Sequence, residues 1–174
     1  IFEATGFTKP CEVSRTAVNN YLKVLEETFV INIIRPFSTY KPNEITSAPK
    51  IYAFDTGFVC YFKGWDVLRN DDMGYLWEHF VLNEIIAQTQ TRNINYWRDK
   101  KGHEVDFIIQ KRGKSPIAIE CKWKASNFDP GNLEAFRRRY PGGKNFLVAN
   151  DVDDSFIKRV GDLEINIIGL NHLI

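Results

Sequence analysis

The chain has 174 residues, of which 44% are hydrophobic, 14% aromatic and 26% charged, with a formal net charge of +1. This composition supports a packed core and excludes a wholly disordered or fibrous chain. No apolar run approaches the roughly 18 residues of a membrane span, and the near-neutral charge neither requires nor excludes a polyanionic partner.

The chain begins at Ile1, without an initiator Met and without a basic segment leading into an apolar one. It therefore reads as a C-terminal fragment of a longer protein rather than as a signal-bearing chain. Cys11, Cys60 and Cys121 are odd in number, widely spaced and lack a C-x-x-C pair. Neither a disulfide framework nor a zinc site is expected, and a reducing cytoplasmic setting is.

Ser14 is a candidate N-cap for a helix over Arg15 to Glu27, with Val18, Tyr21, Leu22 and Leu25 at i, i+3, i+4, i+7 spacing. A strand over Phe29–Ile34 stops before Pro36, a polar loop runs from Ser38 to Pro49, and a second strand covers Lys50–Phe54. Helix, strand, long loop and strand are the pattern of a winged helix over residues 1–62. Asp55-Thr56-Gly57 reads as a turn. Residues 63–73 are polar and turn-rich and serve as a linker.

The second domain, 74–174, opens on a helix from Gly74 whose buried face holds Leu76, Phe80, Val81, Ile85 and Ile86. Strands are predicted over Ile94–Trp97, Glu104–Gln110 and Ile117–Trp123, joined by connectors of hairpin length. A helix over Asn132–Tyr140 and strands over Phe146–Ala149 and Ile165–Ile168 complete the order. The expected class is α/β with a mixed sheet.

The chemistry concentrates between Gly102 and Lys124. Alternation along a strand sets Glu104 and Asp106 on one face and Val105, Phe107 and Ile109 on the buried one. The same rule groups Glu120, Lys122 and Lys124 against Ile119, Cys121 and Trp123. If the two strands pair, Asp106 and Glu120 converge beside Lys122. Two carboxylates and the Cys121 carbonyl suit Mg²⁺, which keeps its remaining positions for water and phosphate. Such an ion stabilises phosphate charge and supplies a hydroxide nucleophile, while the ammonium orients water or neutralises developing charge. The competing reading is a set of solvated carboxylates on an exposed strand face.

Glu78 on the helix, Asp106 in Gly-His-Glu-Val-Asp and Glu120-Cys121-Lys122 together resemble the PD-(D/E)XK nuclease superfamily. More narrowly, the chain resembles the C-terminal region of a family of prokaryotic AAA-type ATPases, a winged helix followed by a nuclease-like domain of unknown function. The residues carrying that likeness include Val18-Asn19-Asn20-Tyr21-Leu22, Pro49 to Gly57, Gly74 to Val81, Trp97-Arg98, Gly102 to Phe107 and Ile119 to Lys122. The resemblance implies an αβββαβ restriction-endonuclease-like core, Asp106 and Glu120 as ligands of Mg²⁺ or Mn²⁺, Lys122 as the catalytic lysine and Glu78 as the helix carboxylate. It further implies DNA and an N-terminal ATPase module as partners, and leaves a homo-oligomer open. No Gly-x-x-x-x-Gly-Lys-[Ser/Thr] loop is present, so ATP would act only through a module outside this sequence.

Arg15, Asn19 and Asn20 lie off the apolar stripe of the first helix and are candidate base readers, and Arg138 within Arg137-Arg138-Arg139 is a candidate phosphate contact. Their plain alternative is a solvated helix face. His79, His103 and His172 have no partner at metal spacing and read as structural or surface residues, and Trp97 and Trp123 as core. Two functions from different classes follow: Mg²⁺-dependent phosphodiester hydrolysis of DNA, or a non-catalytic nucleic-acid or partner-binding module that regulates an attached ATPase.

Overall fold

The structure, a computed structural model, describes residues 14–38 and 48–173. The chain divides into two compact units, Ile1–Asp66 and Val67–Ile174.

In the first unit, α1 spans Arg15–Glu27 and Ser14 caps it, its Oγ accepting from the Ala17 N–H at 3.1 Å. Of the expected apolar stripe only Val18 is buried; Tyr21 is 62% and Leu25 37% exposed. Phe29 lies at φ +63°, outside the strand predicted to contain it. The strand β1 therefore begins at Ile31 and runs Ile31–Pro36, antiparallel to β2 at Lys50–Ala53. Most of the expected wing, residues 39–47, lies outside the described residues. The turn expected at Asp55-Thr56-Gly57 is instead the start of a second helix, α2 (Thr56–Lys63). The Asp55 carboxylate accepts from the Phe58 N–H at 3.0 Å, satisfying a donor at the helix start.

In the second unit, α3 spans Asn70–Thr89, beginning four residues ahead of Gly74 and inside the stretch read as linker. The Asp72 carboxylate accepts from the Arg69 N–H at 2.9 Å and fixes that earlier start. Its buried face is Leu76, Trp77, His79, Val81, Leu82 and Ile85, whereas Phe80, assigned to that face from the sequence, is 39% exposed. The strands β3 (Ile94–Arg98), β4 (Glu104–Ile109), β5 (Ile117–Lys122), β6 (Asn145–Ala149), β7 (Phe156–Val160) and β8 (Leu163–Ile168) follow, with α4 at Gly131–Arg139 between β5 and β6. Their order is β3-β4-β5-β6-β8-β7. The β5/β6 and β6/β8 pairs are parallel and the others antiparallel, so the sheet is mixed. This is an α/β architecture, with a strand, β7, that was not expected from the sequence.

The central strands are covered on both faces. Val105, Phe107 and Ile108 of β4 are wholly buried, as are Ala118 and Ile119 of β5 and Leu147, Val148 and Ala149 of β6. A strand buried on both faces reads as a continuous apolar run instead of an alternating one. The Trp77 indole N–H donates to the Val148 carbonyl at 3.0 Å, tying α3 to β6.

The turn from α4 into β6 is closed by Arg137, which is buried at 8% exposure and is thus neither on a solvated helix face nor set to meet phosphate, the two readings of Arg137-Arg138-Arg139. It donates to the Asn145 side chain, the Lys144 carbonyl and the Gly142 carbonyl. Gly143 sits beside it at φ +87°, and a Cβ there would lie 2.2 Å from the Pro116 carbonyl oxygen. Gly113 in the β4–β5 turn also has positive φ (+73°), with nothing within 4 Å of a Cβ. Gly143→Ala should therefore cost more than about 2 kcal/mol, against about 1 kcal/mol for Gly113→Ala. Urea unfolding of the two variants checks the difference, and equal losses would contradict it.

Candidate active site

The antiparallel ladder between β4 and β5 pairs Ile109 with Ile117, Ile108 with Ala118 and Phe107 with Ile119. The next facing residues are Asp106 and Glu120. Here the ladder stops, and a side chain takes over a backbone position: the Asp106 carboxylate accepts the Cys121 N–H at 2.8 Å. A charge-accepted hydrogen bond of this length holds Asp106 in place and marks where the two strands cease to pair.

Glu120 lies deeper. Its side chain is 1% exposed, Oε2 accepts from Lys122 Nζ at 3.0 Å, and Oε1 is buried with no hydrogen-bond partner. Burial raises the Glu120 pKa above its ordinary value, opposed by the Lys122 ammonium and the Asn132 side chain and reinforced by Glu104. For Lys122 burial works against the charge, yet the Asp106 and Glu120 carboxylates outweigh it and raise the pKa, so the ammonium stays charged at neutral pH. The Cys121 thiol between them is pushed well up by burial and by the surrounding carboxylates, and is no nucleophile at neutral pH.

Above these residues opens a cleft of about 540 Å³ lined by Asp71, Glu78, Asp106, Lys122, Trp123 and Lys124, among others. Glu78 thus shares the cleft with Asp106 and Lys122, while Glu120 does not line it and is linked to it through Lys122. Among the described residues no three His, Cys, Asp or Glu side chains form a cluster able to hold a metal ion. Glu78 accordingly does not complete a three-carboxylate site.

The competing reading, solvated carboxylates on an exposed strand face, does not hold for Asp106 and Glu120: both are buried, at 8% and 1% exposure. The sequence also missed the cleft role of Trp123, which is half-buried with its ring 5.8 Å from that of Trp77. Its place one residue after Glu-x-Lys was the available signal. Arg15, Asn19, Asn20 and Arg138 are exposed. His79 is buried, its Nδ1 3.1 Å from the Tyr75 carbonyl, and His103 pairs with Asp99 at 2.8 Å. Both have structural partners.

A family model described as a domain of unknown function, DUF4143, matches residues 73–167, which contain every residue of this site except Asn70 and Asp71. The chain belongs to that family. A second domain of unknown function, DUF8612, matches residues 1–69. The uncharacterized proteins Mb2031c of Mycobacterium bovis and Rv2008c of Mycobacterium tuberculosis are each 28% identical to the chain over 126 residues, or 70% of it. The chain spans only 28% of the length of either relative. A chain from the complex of Thermococcus gammatolerans McrB AAA+ hexamers with bound McrC aligns with 56% of this chain and 28% of its own, at 12% identity and a TM-score of 0.36. That likeness is too slight to define a shared fold.

The buried charge pair yields a stability test within this DUF4143 domain. Lys122→Met leaves the Glu120 carboxylate buried without its cation and should cost about 2–4 kcal/mol, somewhat under a fully buried pair because Lys122 is partly exposed. Adding Glu120→Gln removes the stranded charge and should recover at least half of the loss. Urea denaturation of single and double variants measures this, and a double variant no more stable than Lys122→Met would contradict it.

Proposed function

We propose that this chain is the nuclease-like part of a longer AAA-type ATPase, a winged helix followed by a PD-(D/E)XK-type domain that hydrolyses phosphodiesters in DNA. The observation that carries the proposal is Glu120: a carboxylate at 1% exposure with Oε1 unpartnered and Oε2 on Lys122. A buried charge left half-satisfied is costly and persists where something else completes it. The β-hairpin leading into a parallel βαβ unit, after a long helix bearing Glu78, supports the core assignment. The resemblance of the whole chain to ATPase C-terminal regions supports the attached module, as does the greater length of the relatives.

The residues present fit a divalent cation. Asp106 and Glu120 would hold it through carboxylate oxygens, and Mg²⁺ needs only one or two carboxylates when water and substrate phosphate fill the other positions. When bound, it would supply Lewis-acid stabilisation of phosphate charge and activation of a water. Lys122, kept charged by its carboxylate neighbours, would donate a hydrogen bond to a phosphate oxygen as negative charge accumulates. Glu78 would accept a hydrogen bond from the attacking water and hold it against the phosphorus. Asp106, anchored by the Cys121 N–H, would keep its position without substrate.

A second reading, a non-catalytic module that binds nucleic acid or a partner and regulates the ATPase, is favoured by the near-neutral charge. On this reading Arg15, Asn19 and Asn20 of α1 and Arg138 of α4 would be the contact residues.

A nicking assay on supercoiled plasmid with Mg²⁺ or Mn²⁺ separates the two. Lys122→Ala should slow nicking by about 10² to 10³, the usual cost of losing one charge-stabilising donor. Asp106→Ala should abolish it. Plasmid left intact by the wild-type chain would favour the regulatory module.

A further inference from the structure

We infer that Trp123 is a stacking platform for an unpaired base next to the reacting phosphate, which makes the preferred substrate single-stranded or frayed nucleic acid. The inference rests on the nucleic-acid reading above and adds the form of the substrate. Trp123 immediately follows Lys122, is half-buried, and lines the same cleft as Asp106 and Lys122. Its ring stands edge-on to Trp77, with centroids 5.8 Å apart and planes at 75°. Trp77 is itself 6% exposed and pinned by its N–H to the Val148 carbonyl. The indole of Trp123 is thus braced against a fixed neighbour, so that little side-chain freedom is lost when a ligand covers it.

Charge points the same way. Duplex DNA is held chiefly by neutralising many phosphates with Lys and Arg. This cleft sets Asp71, Glu78 and Asp106 against Lys122 and Lys124, and the chain as a whole carries a net charge of +1. With more carboxylates than ammonium groups lining the cleft, phosphate neutralisation there is weak, and base–aromatic stacking is the further source of affinity that the cleft provides. Within a duplex both faces of a base are covered by its neighbours. Only an unpaired or terminal base can offer a face to the indole.

The test is fluorescence anisotropy with labelled oligonucleotides of one sequence, as a single strand and as a blunt duplex, in EDTA so that cleavage does not intervene. Wild type should bind the single strand at least about ten-fold more tightly, as expected for stacking of one base. Trp123→Leu keeps an apolar contact to Trp77 but cannot stack, and should lose that preference; Trp123→Phe should retain most of it. Matching thermal melts of the variants exclude unfolding as the cause. Equal affinity for both forms, single-strand affinity unchanged in Trp123→Leu, or no binding by wild type would each overturn the inference. The nuclease reading fails separately: a single strand bound through Trp123 yet left uncut with Mg²⁺ or Mn²⁺ would remove catalysis and keep the platform, whereas nicking undiminished in Trp123→Leu, without single-strand preference, would do the reverse.

Discussion

A carboxylate buried in a protein interior must be answered by charge, and Glu120 is answered on one side only. Its Oε2 holds the Lys122 ammonium at 3.0 Å while Oε1 makes no hydrogen bond, although the Asn132 side chain favours the charged carboxylate. Much of the surrounding structure can be understood from that imbalance. Lys122 remains protonated because Asp106 and Glu120 flank it. Asp106 in turn is fixed by the Cys121 N–H, a backbone group that the β4–β5 ladder leaves unpaired once Asp106 and Glu120 replace further apolar pairs. The polar cluster sits where the β4–β5 ladder ends, and there the Asp106 carboxylate satisfies a backbone donor that the ladder no longer pairs.

Rigid supports surround this weak point. α3 brings Glu78 to the cleft and is fastened to β6 by Trp77. α4 returns the chain from β5 to β6, and its last turn is locked by Arg137, whose hydrogen bonds fix the entry of β6 alongside β5. Burial lowers the Arg137 pKa to about 10, leaving the guanidinium charged at neutral pH. The charge pair is therefore held in a sheet whose registers are determined on both sides of β5, as a site that must present two carboxylates and an ammonium in fixed geometry requires.

The sequence disclosed elements whose periodicity is strong and local. α1 was legible to its ends because Ser14 is a good cap and the spacing from Val18 to Leu25 is regular. It did not disclose α2, eight residues long and rich in aromatics, nor β7, whose Phe156 and Ile157 are exposed instead of alternating with buried neighbours. The pairing of Asp106, Glu120 and Lys122 could be proposed from spacing, but their burial could not. The alternation rule assumes one wet face, whereas β4 from Val105 to Ile109 and β5 from Ala118 to Cys121 are buried at every position. Trp123 reads as core more readily than as a stacking platform because it falls in a predicted strand, and strand position does not reveal the cleft that α3 helps to line.

The central claim is that the half-satisfied Glu120 carboxylate belongs to a cation site, and calorimetric titration of Mg²⁺ and Mn²⁺ into wild type and Glu120→Gln tests it most directly. Glutamine keeps the shape of the side chain and removes its charge. Wild type should bind one ion at millimolar concentration or below, and Glu120→Gln should not. Absence of binding by wild type, or equal binding by a well-folded Glu120→Gln variant, would contradict the account.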